Sequence, residues 1–219
     1  MGIRKNPFVE NEYYHLYNRG TNKMQIFNDH WDYLRFQKLL YLSNSKKSPK
    51  FSDIETSPGK AWTVEKDDEL VEINAYCLMP NHFHILIRSK NEKDVSVFLL
   101  KLLTSYSMYF NKKYQRTGAL FEGKTKSKHA NTDIYLKYLF SYIHLNPVKL
   151  INTKWKENKI IDLNKTLSYL QQYQYSSFLD YINNERLENK ILNMTSCPEY
   201  FKNPKENLNE LIEWLQYEN

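Results

Sequence analysis

The sequence predicts an α+β fold: a ferredoxin-like βαββαβ antiparallel sheet, then one more helix and a mostly helical C-terminal extension. Short apolar segments predict strands, and longer segments with apolar residues every three or four positions predict helices. Their order is strand, helix, strand, strand, helix, strand, helix, which is typical of this sheet with helices on one face. We expect residues 1–150 to form the sheet domain with the final helix, and residues 151–219 to form the extension.

The first strand and helix occupy the N-terminal part of the chain. Residues 13–18, YYHLYN, predict a strand. The segment NDHWDYLRFQKLLYLS predicts an amphipathic helix that is capped by Asn28 or Asp29 and counts Trp31 among its apolar residues. Residues 44–70 are polar and contain proline and glycine, which predicts a long loop or insertion.

Two strands and a long helix come next. The strands are VEINAYCLM and FHILIRS, with a Pro-Asn turn between them. Residues 94–113 repeat apolar positions at a helical period, and Asp94 stands at the predicted start. A basic turn and a short polar strand then lead to the helix NTDIYLKYLFSYIHLN, which is capped by Asn131 or Thr132 and stopped by Pro147.

Charge and composition narrow the functional classes. A net charge of +6 and a pI near 9.0 favour a polyanionic partner such as nucleic acid. Cys77 and Cys197 match no metal spacing and are typical of reduced thiols in a cytoplasmic protein. No apolar run approaches the roughly 18 residues of a membrane helix, and no GxxxxGK[ST] loop is present. We therefore expect neither a membrane nor a nucleotide cofactor.

Two histidines, His82 and His84, lie one residue apart in the third predicted strand. Because side chains alternate along a strand, both imidazoles share one face while Phe83 lies on the other. Such a pair can bind one metal ion, or it can consist of two hydrogen-bonded histidines without chemistry. The short motif leaves both interpretations open.

The last predicted helix offers a third ligand and a nucleophile. Tyr142 and Asn146 are four residues apart and share a face. Asn146 ends the helix, so we expect its amide oxygen to reach outward as a ligand for Mg²⁺ or Mn²⁺. Tyr142 would then attack a phosphodiester beside the metal. Tyr135 and Tyr138 lie on nearly the same face, so spacing alone does not choose among the three.

Basic residues interleaved with aromatic ones follow the long helix. They could track a DNA backbone while bases stack, or they could form a solvated helix end. The candidates are Lys112, Lys113, Arg116, Lys124, Lys126 and Lys128. Arg19, at the end of the first strand, is a further DNA-binding candidate.

With MPNHFHILI, YFNKKYQRTGALFEGK and YLFSYIHLNPVK, the chain resembles the single-tyrosine HUH transposases, and among them the REP-associated tyrosine transposases, over residues 10–182. The resemblance implies a metal-dependent single-stranded DNA endonuclease and strand transferase that acts near hairpins through a 5′-phosphotyrosine intermediate. It makes His82, His84 and Asn146 the Mg²⁺ or Mn²⁺ ligands and Tyr142 the nucleophile. Glu122 and Lys124 stand where relatives tend to have Gln and Arg.

Three other functions compete with DNA transposition as an interpretation of the sequence. A domesticated, non-catalytic DNA-hairpin-binding protein of the same fold would have no reason to keep all four site residues. Replication or mobilisation initiators usually add a helicase or relaxase extension. An RNA-binding ferredoxin-like module would carry aromatic stacking rings at the positions of the two histidines. We expect single-stranded or hairpin DNA as the partner, in the bacterial cytoplasm at the nucleoid. A monomer acting in cis is favoured over a homodimer.

Overall fold

The computed structural model describes residues 7–47, 59–66, 68–155, 162–182 and 185–216. Its first seven long elements follow the expected order. They are β1 (Tyr13–Arg19), α1 (His30–Leu42), β2 (Val71–Met79), β3 (His82–Ser89), α2 (Glu92–Lys113), β4 (Lys126–Ala130) and α3 (Asp133–Leu145). The strand order is β2-β3-β1-β4, and every neighbouring pair is antiparallel. This topology confirms the ferredoxin-like βαββαβ prediction.

Helices α2 and α1 each differ in one detail from the sequence-based expectation. Helix α2 begins two residues before Asp94, because the Asn91 side chain accepts a hydrogen bond from the Asp94 amide at 2.9 Å and caps the helix. In α1, Trp31 is 61% exposed, whereas Asp32 is fully buried. The Asp32 carboxylate accepts hydrogen bonds from Lys113 and Tyr114, so a tertiary contact reverses the amphipathic pattern there.

Some residues of the predicted loop at 44–70 are buried or hydrogen-bonded to the rest of the fold. Asn44 pairs with both backbone groups of Val71, at 2.8 and 2.9 Å. Trp62 is buried within a short 3-10 helix, Lys60–Thr63. The loop stays a prediction. Asn44 joins its N-terminal flank to β2, and the Trp62 ring lies 5.5 Å from that of Tyr41 in α1. Residues 48–58 and 67 lie outside the described residues.

Helices cover both faces of the sheet, and this places the site. Helices α1 and α2 pack on the face that carries Phe83, whose ring centroid is 5.2 Å from that of Phe36 in α1. Helix α3 packs on the opposite face, where the ring of Tyr142 is 5.4 Å from that of His84. The expectation of helices on one face thus holds for α1 and α2 only. The third helix lies over the two histidines.

The C-terminal region contains α4 (Leu163–Gln172), α5 (Pro204–Gln216) and several short 3-10 helices, as predicted. It packs beside the edge strand β2, where the Leu78 amide donates to the Tyr175 carbonyl at 2.9 Å. The domain boundary at residue 150 stays a prediction. Within the described part of the chain, no helix has the length and apolar character needed to cross a bilayer.

Buried His144 in α3 should make the protein sensitive to acid. Its Nε2 lies 2.8 Å from Ser177 Oγ, and burial, together with the nearby Arg186, lowers the pKa of His144 from 6.5 to about 3. Between those values the unfolded chain binds a proton that the folded chain excludes. The free energy of unfolding should therefore fall below about pH 6.5, by up to about 1.4 kcal/mol per pH unit from this residue.

Urea unfolding at pH 7.5 and pH 5.0 measures this effect. We expect His144→Gln to lose less stability than the unaltered protein between the two pH values. Equal losses in both proteins would contradict the assignment to His144.

Candidate active site

The structure brings five of the predicted site residues into one pocket: Arg19, His82, His84, Lys126 and Tyr142. Antiparallel pairing explains the first three, because β1 places Arg19 opposite His82 and Tyr17 opposite His84. Directly paired residues point to the same face of a sheet. Strand β4 adds Lys126 opposite Tyr17, and α3 covers this face with Tyr142.

His82 has a defined hydrogen-bonding role. Its Nδ1 lies 2.6 Å from the side-chain oxygen of Asn81. Since an amide oxygen can only accept, His82 Nδ1 carries the proton and Nε2 keeps its lone pair. Burial, together with the cations Lys149 and Arg19, lowers the pKa of His82 to about 4. His82 is therefore neutral at pH 7, the state in which imidazole binds metals.

His84 is paired with a third histidine, His15 of β1. The two rings are nearly parallel, and His15 Nε2 lies 2.8 Å from His84 Nδ1. Burial and the neighbouring Lys128 lower the pKa of His15 to about 4. The sequence analysis missed His15. Its alternation with Tyr17 in YYHLYN was a signal, but only the pairing of β1 with β3 shows that it faces His84.

Among the three candidate tyrosines, Tyr142 lies beside the histidines. Its ring meets His84 and His15 edge-on, with centroids 5.4 and 6.2 Å away. Tyr138 stacks on Tyr142 and contacts Trp214 of α5. Burial raises the pKa of Tyr142, and a hydrogen bond with the Asn146 side chain partly offsets this rise. The phenol is thus protonated at neutral pH and needs help to become a nucleophile.

Asn146 is buried and does not line the pocket. Its Nδ2 donates to the Tyr142 carbonyl at 2.9 Å, and its Oδ1 accepts from Lys149 Nζ at 3.2 Å. The expectation that this oxygen reaches outward is wrong, because the chain continues into a 3-10 helix, Asn146–Leu150, from which Lys149 reaches back. Asn146 as a metal ligand stays a prediction.

Lys149 is a second residue that the sequence analysis missed. Its Nζ lies 5.3 Å from the centre of the Tyr142 ring, and burial lowers its pKa. The signal was its position three residues after Asn146 in NPVK, which lets the two side chains meet only if the helical turn continues past the proline. The site thus contains a cation beside the tyrosine.

The predicted DNA-binding residues separate into two groups. Arg19 and Lys126 line the pocket, together with Lys23 and with Glu122, which pairs with Arg19. The remaining five do not line it: Lys112, Lys113, Arg116, Lys124 and Lys128. Lys113 is held by Asp29 and Asp32, both at 2.7 Å. DNA contacts by this second group stay predictions.

The site offers two imidazole nitrogens, from His82 and His84, as ligands for a divalent cation. In the residues that the structure describes, no group of three or more His, Cys, Asp or Glu could hold a metal ion. A site here would use the imidazoles of His82 and His84 with an amide or substrate oxygen. Imidazole nitrogens suit Mn²⁺ better than Mg²⁺, which strongly prefers oxygen ligands. Two neutral imidazoles on one face therefore fit Mn²⁺ best.

The sheet order, the helix over the histidine face and the tyrosine on that helix are consistent with the single-tyrosine transposase fold. The model of the family described as IS200-like transposases matches residues 52–146, the segment that contains both histidines, Tyr142 and Asn146. A solved REP-associated tyrosine transposase bound to a REP hairpin is similar in fold, with a TM-score of 0.51 and 12% identity. The similarity covers 86% of this chain and 90% of that one.

These two matches confirm the resemblance drawn from the sequence motifs. No curated protein matches the chain in sequence.

Proposed function

We propose that this protein is a metal-dependent single-stranded DNA endonuclease and strand transferase that acts near DNA hairpins through a 5′-phosphotyrosine intermediate. The observation that carries the proposal is the Tyr142 ring lying 5.4 Å from that of His84, over a pocket that also contains His82 and three cationic side chains. The hairpin preference rests on the similar transposase solved with a REP hairpin. Such a protein would act on bacterial DNA in the cytoplasm.

The chain's own residues supply a nucleophile and its surroundings. Tyr142 Oη attacks the scissile phosphorus, the bond to the 3′ oxygen breaks, and the phenol proton ends on that leaving oxygen. Asn146 hydrogen-bonds Tyr142 and so stabilises the developing phenolate, which the nearby Lys149 ammonium also favours. A bound Mg²⁺ or Mn²⁺ would polarise the phosphoryl oxygens. A second 3′-hydroxyl then reverses the step, exchanging one phosphodiester for another without ATP.

Covalent capture tests the proposal. Incubation of the protein with a labelled single-stranded DNA library, including hairpin-forming members, in Mn²⁺ should give protein–DNA adducts that survive denaturing electrophoresis. The recovered DNA would identify the target. Specific hairpin binding without any adduct would instead support the alternative, a domesticated, non-catalytic DNA-hairpin-binding protein.

Binding should depend on salt through the cations of the pocket. Each phosphate contact with a single strand contributes a slope of about −0.7 in log K against log salt. Lys23→Ala with Lys126→Ala should therefore make the slope shallower by about 1.4, measured by fluorescence anisotropy in increasing KCl. Lys165→Ala with Lys205→Ala removes the same charge from two exposed lysines elsewhere and serves as the control. An identical loss in both double variants would place the DNA outside the pocket.

Catalysis should occur in cis. Only Asn131 and Thr132 separate β4 from α3, so α3 has little slack to cross to another subunit. Mixing Tyr142→Phe with His84→Ala, each inactive alone, should leave the mixture inactive. Recovered cleavage together with a dimer mass by light scattering would contradict this prediction and leave the proposed chemistry intact.

A further inference from the structure

The hydrogen bond between the buried rings of His15 and His84 can run in either direction, and the proposed metal binding depends on which ring donates the proton. His15 is 5% exposed and His84 6%, and their facing nitrogens, His15 Nε2 and His84 Nδ1, are 2.8 Å apart. Two ring N–H groups cannot face each other at this distance, and two lone pairs would repel. One nitrogen therefore donates a proton to the other.

The two directions have opposite consequences for His84. If His15 donates, neutral His84 carries its own proton on Nε2 and has no lone pair left to offer a cation. If His84 donates through Nδ1, its Nε2 keeps the lone pair, and His15 carries its proton on Nδ1. Only the second arrangement leaves His84 able to bind a metal ion as a neutral imidazole.

The neighbouring histidine shows the same arrangement without ambiguity. His82 Nδ1 donates to the Asn81 side-chain oxygen at 2.6 Å. The Asn81 amide is oriented by its own nitrogen, which donates to the Lys23 carbonyl at 3.3 Å. His82 Nε2 therefore has the lone pair. A metal site that uses both imidazoles needs His84 in this tautomer too, and His15 is the group placed to impose it.

We propose that His15 is a positioning residue that accepts the Nδ1 proton of His84 and so holds His84 Nε2 ready for a divalent cation. This inference rests on the proposed metal dependence. Outer hydrogen-bond partners of metal-binding histidines fix the tautomer and the ring orientation, and their loss typically costs 10–100-fold in metal affinity. His15 would do for His84 what Asn81 does for His82.

The first experiment needs neither metal nor activity. Long-range ¹H–¹⁵N spectra of the metal-free protein at neutral pH distinguish the two neutral tautomers of each histidine. We expect His84 to be protonated on Nδ1, like His82. Protonation of His84 on Nε2 would overturn the proposal.

The second experiment measures Mn²⁺ affinity from the electron paramagnetic resonance signal of unbound Mn²⁺. His15→Phe keeps a ring but removes the acceptor, and it should weaken Mn²⁺ binding by about 10–100-fold. His15→Gln places an amide oxygen near the position of the lost nitrogen and should restore most of the affinity. His129→Phe removes a histidine of the same sheet whose ring lies against Tyr14 and should leave Mn²⁺ affinity unchanged.

The outcomes separate this inference from the proposed function. Equal Mn²⁺ affinity in the unaltered protein and in His15→Phe would overturn the role of His15 alone. If His15 had only a structural role, both His15 variants would have a lower melting temperature and weaker DNA binding in EDTA. His15→Gln would then not restore Mn²⁺ affinity. If the unaltered protein bound no Mn²⁺, the metal dependence would fail and this inference with it.

Discussion

Tyr142→Phe should abolish the covalent protein–DNA adduct, lowering its rate of formation by at least about three orders of magnitude. The substitution removes only the hydroxyl oxygen that would attack phosphorus and keeps the ring that packs against His84. DNA binding, measured by anisotropy, should remain within about twofold, since binding uses the cations of the pocket. A loss confined to chemistry is the expected signature of a nucleophile.

Tyr138→Phe is the matched control, because Tyr138 lies one turn earlier on the same helix and stacks on Tyr142. It should retain most of the activity. Mass spectrometry of a trapped adduct should locate the nucleotide on Tyr142. A nucleotide found on any other tyrosine would show that the nucleophile is wrongly assigned, even if the enzyme class is right.

His84→Ala should eliminate cleavage in Mg²⁺ and weaken Mn²⁺ binding by about 100-fold or more. Loss of an outer partner already costs 10–100-fold, and here a direct ligand would be removed. Asn146→Ala should weaken cleavage less and should recover partly in Mn²⁺, which tolerates the remaining imidazole donors better than Mg²⁺ does. Single-turnover cleavage and Mn²⁺ titration measure the two effects separately.

His30→Ala controls for the loss of a histidine as such, since His30 is exposed at the start of α1 and contacts Tyr175. It should change neither cleavage nor metal affinity. Full activity of the unaltered protein in excess EDTA would remove the metal from the mechanism and leave Tyr142 to act with Asn146 and Lys149.

The sequence by itself determined the order of the strands and helices and the faces on which several candidate site residues lie. Apolar residues recur every two positions in strands and every three or four in helices, because each element buries one face. These periods predicted the order of strands and helices. Alternation alone placed His82 and His84 on one face and Phe83 on the other, and the structure has them so. Helical spacing put Tyr142 and Asn146 one turn apart, which the structure also shows.

Only the tertiary structure decided which residues meet. Which tyrosine of α3 lies beside the histidines depends on how α3 crosses the sheet, and the spacing along one helix does not contain that information. His15 reaches His84 across a pair of strands 69 positions apart in the chain, and no local pattern encodes that register. Lys113, predicted to contact DNA, is held by Asp29 and Asp32 because α1 and α2 pack side by side. Periodicity reports which face a side chain takes, whereas its partners follow from long-range packing.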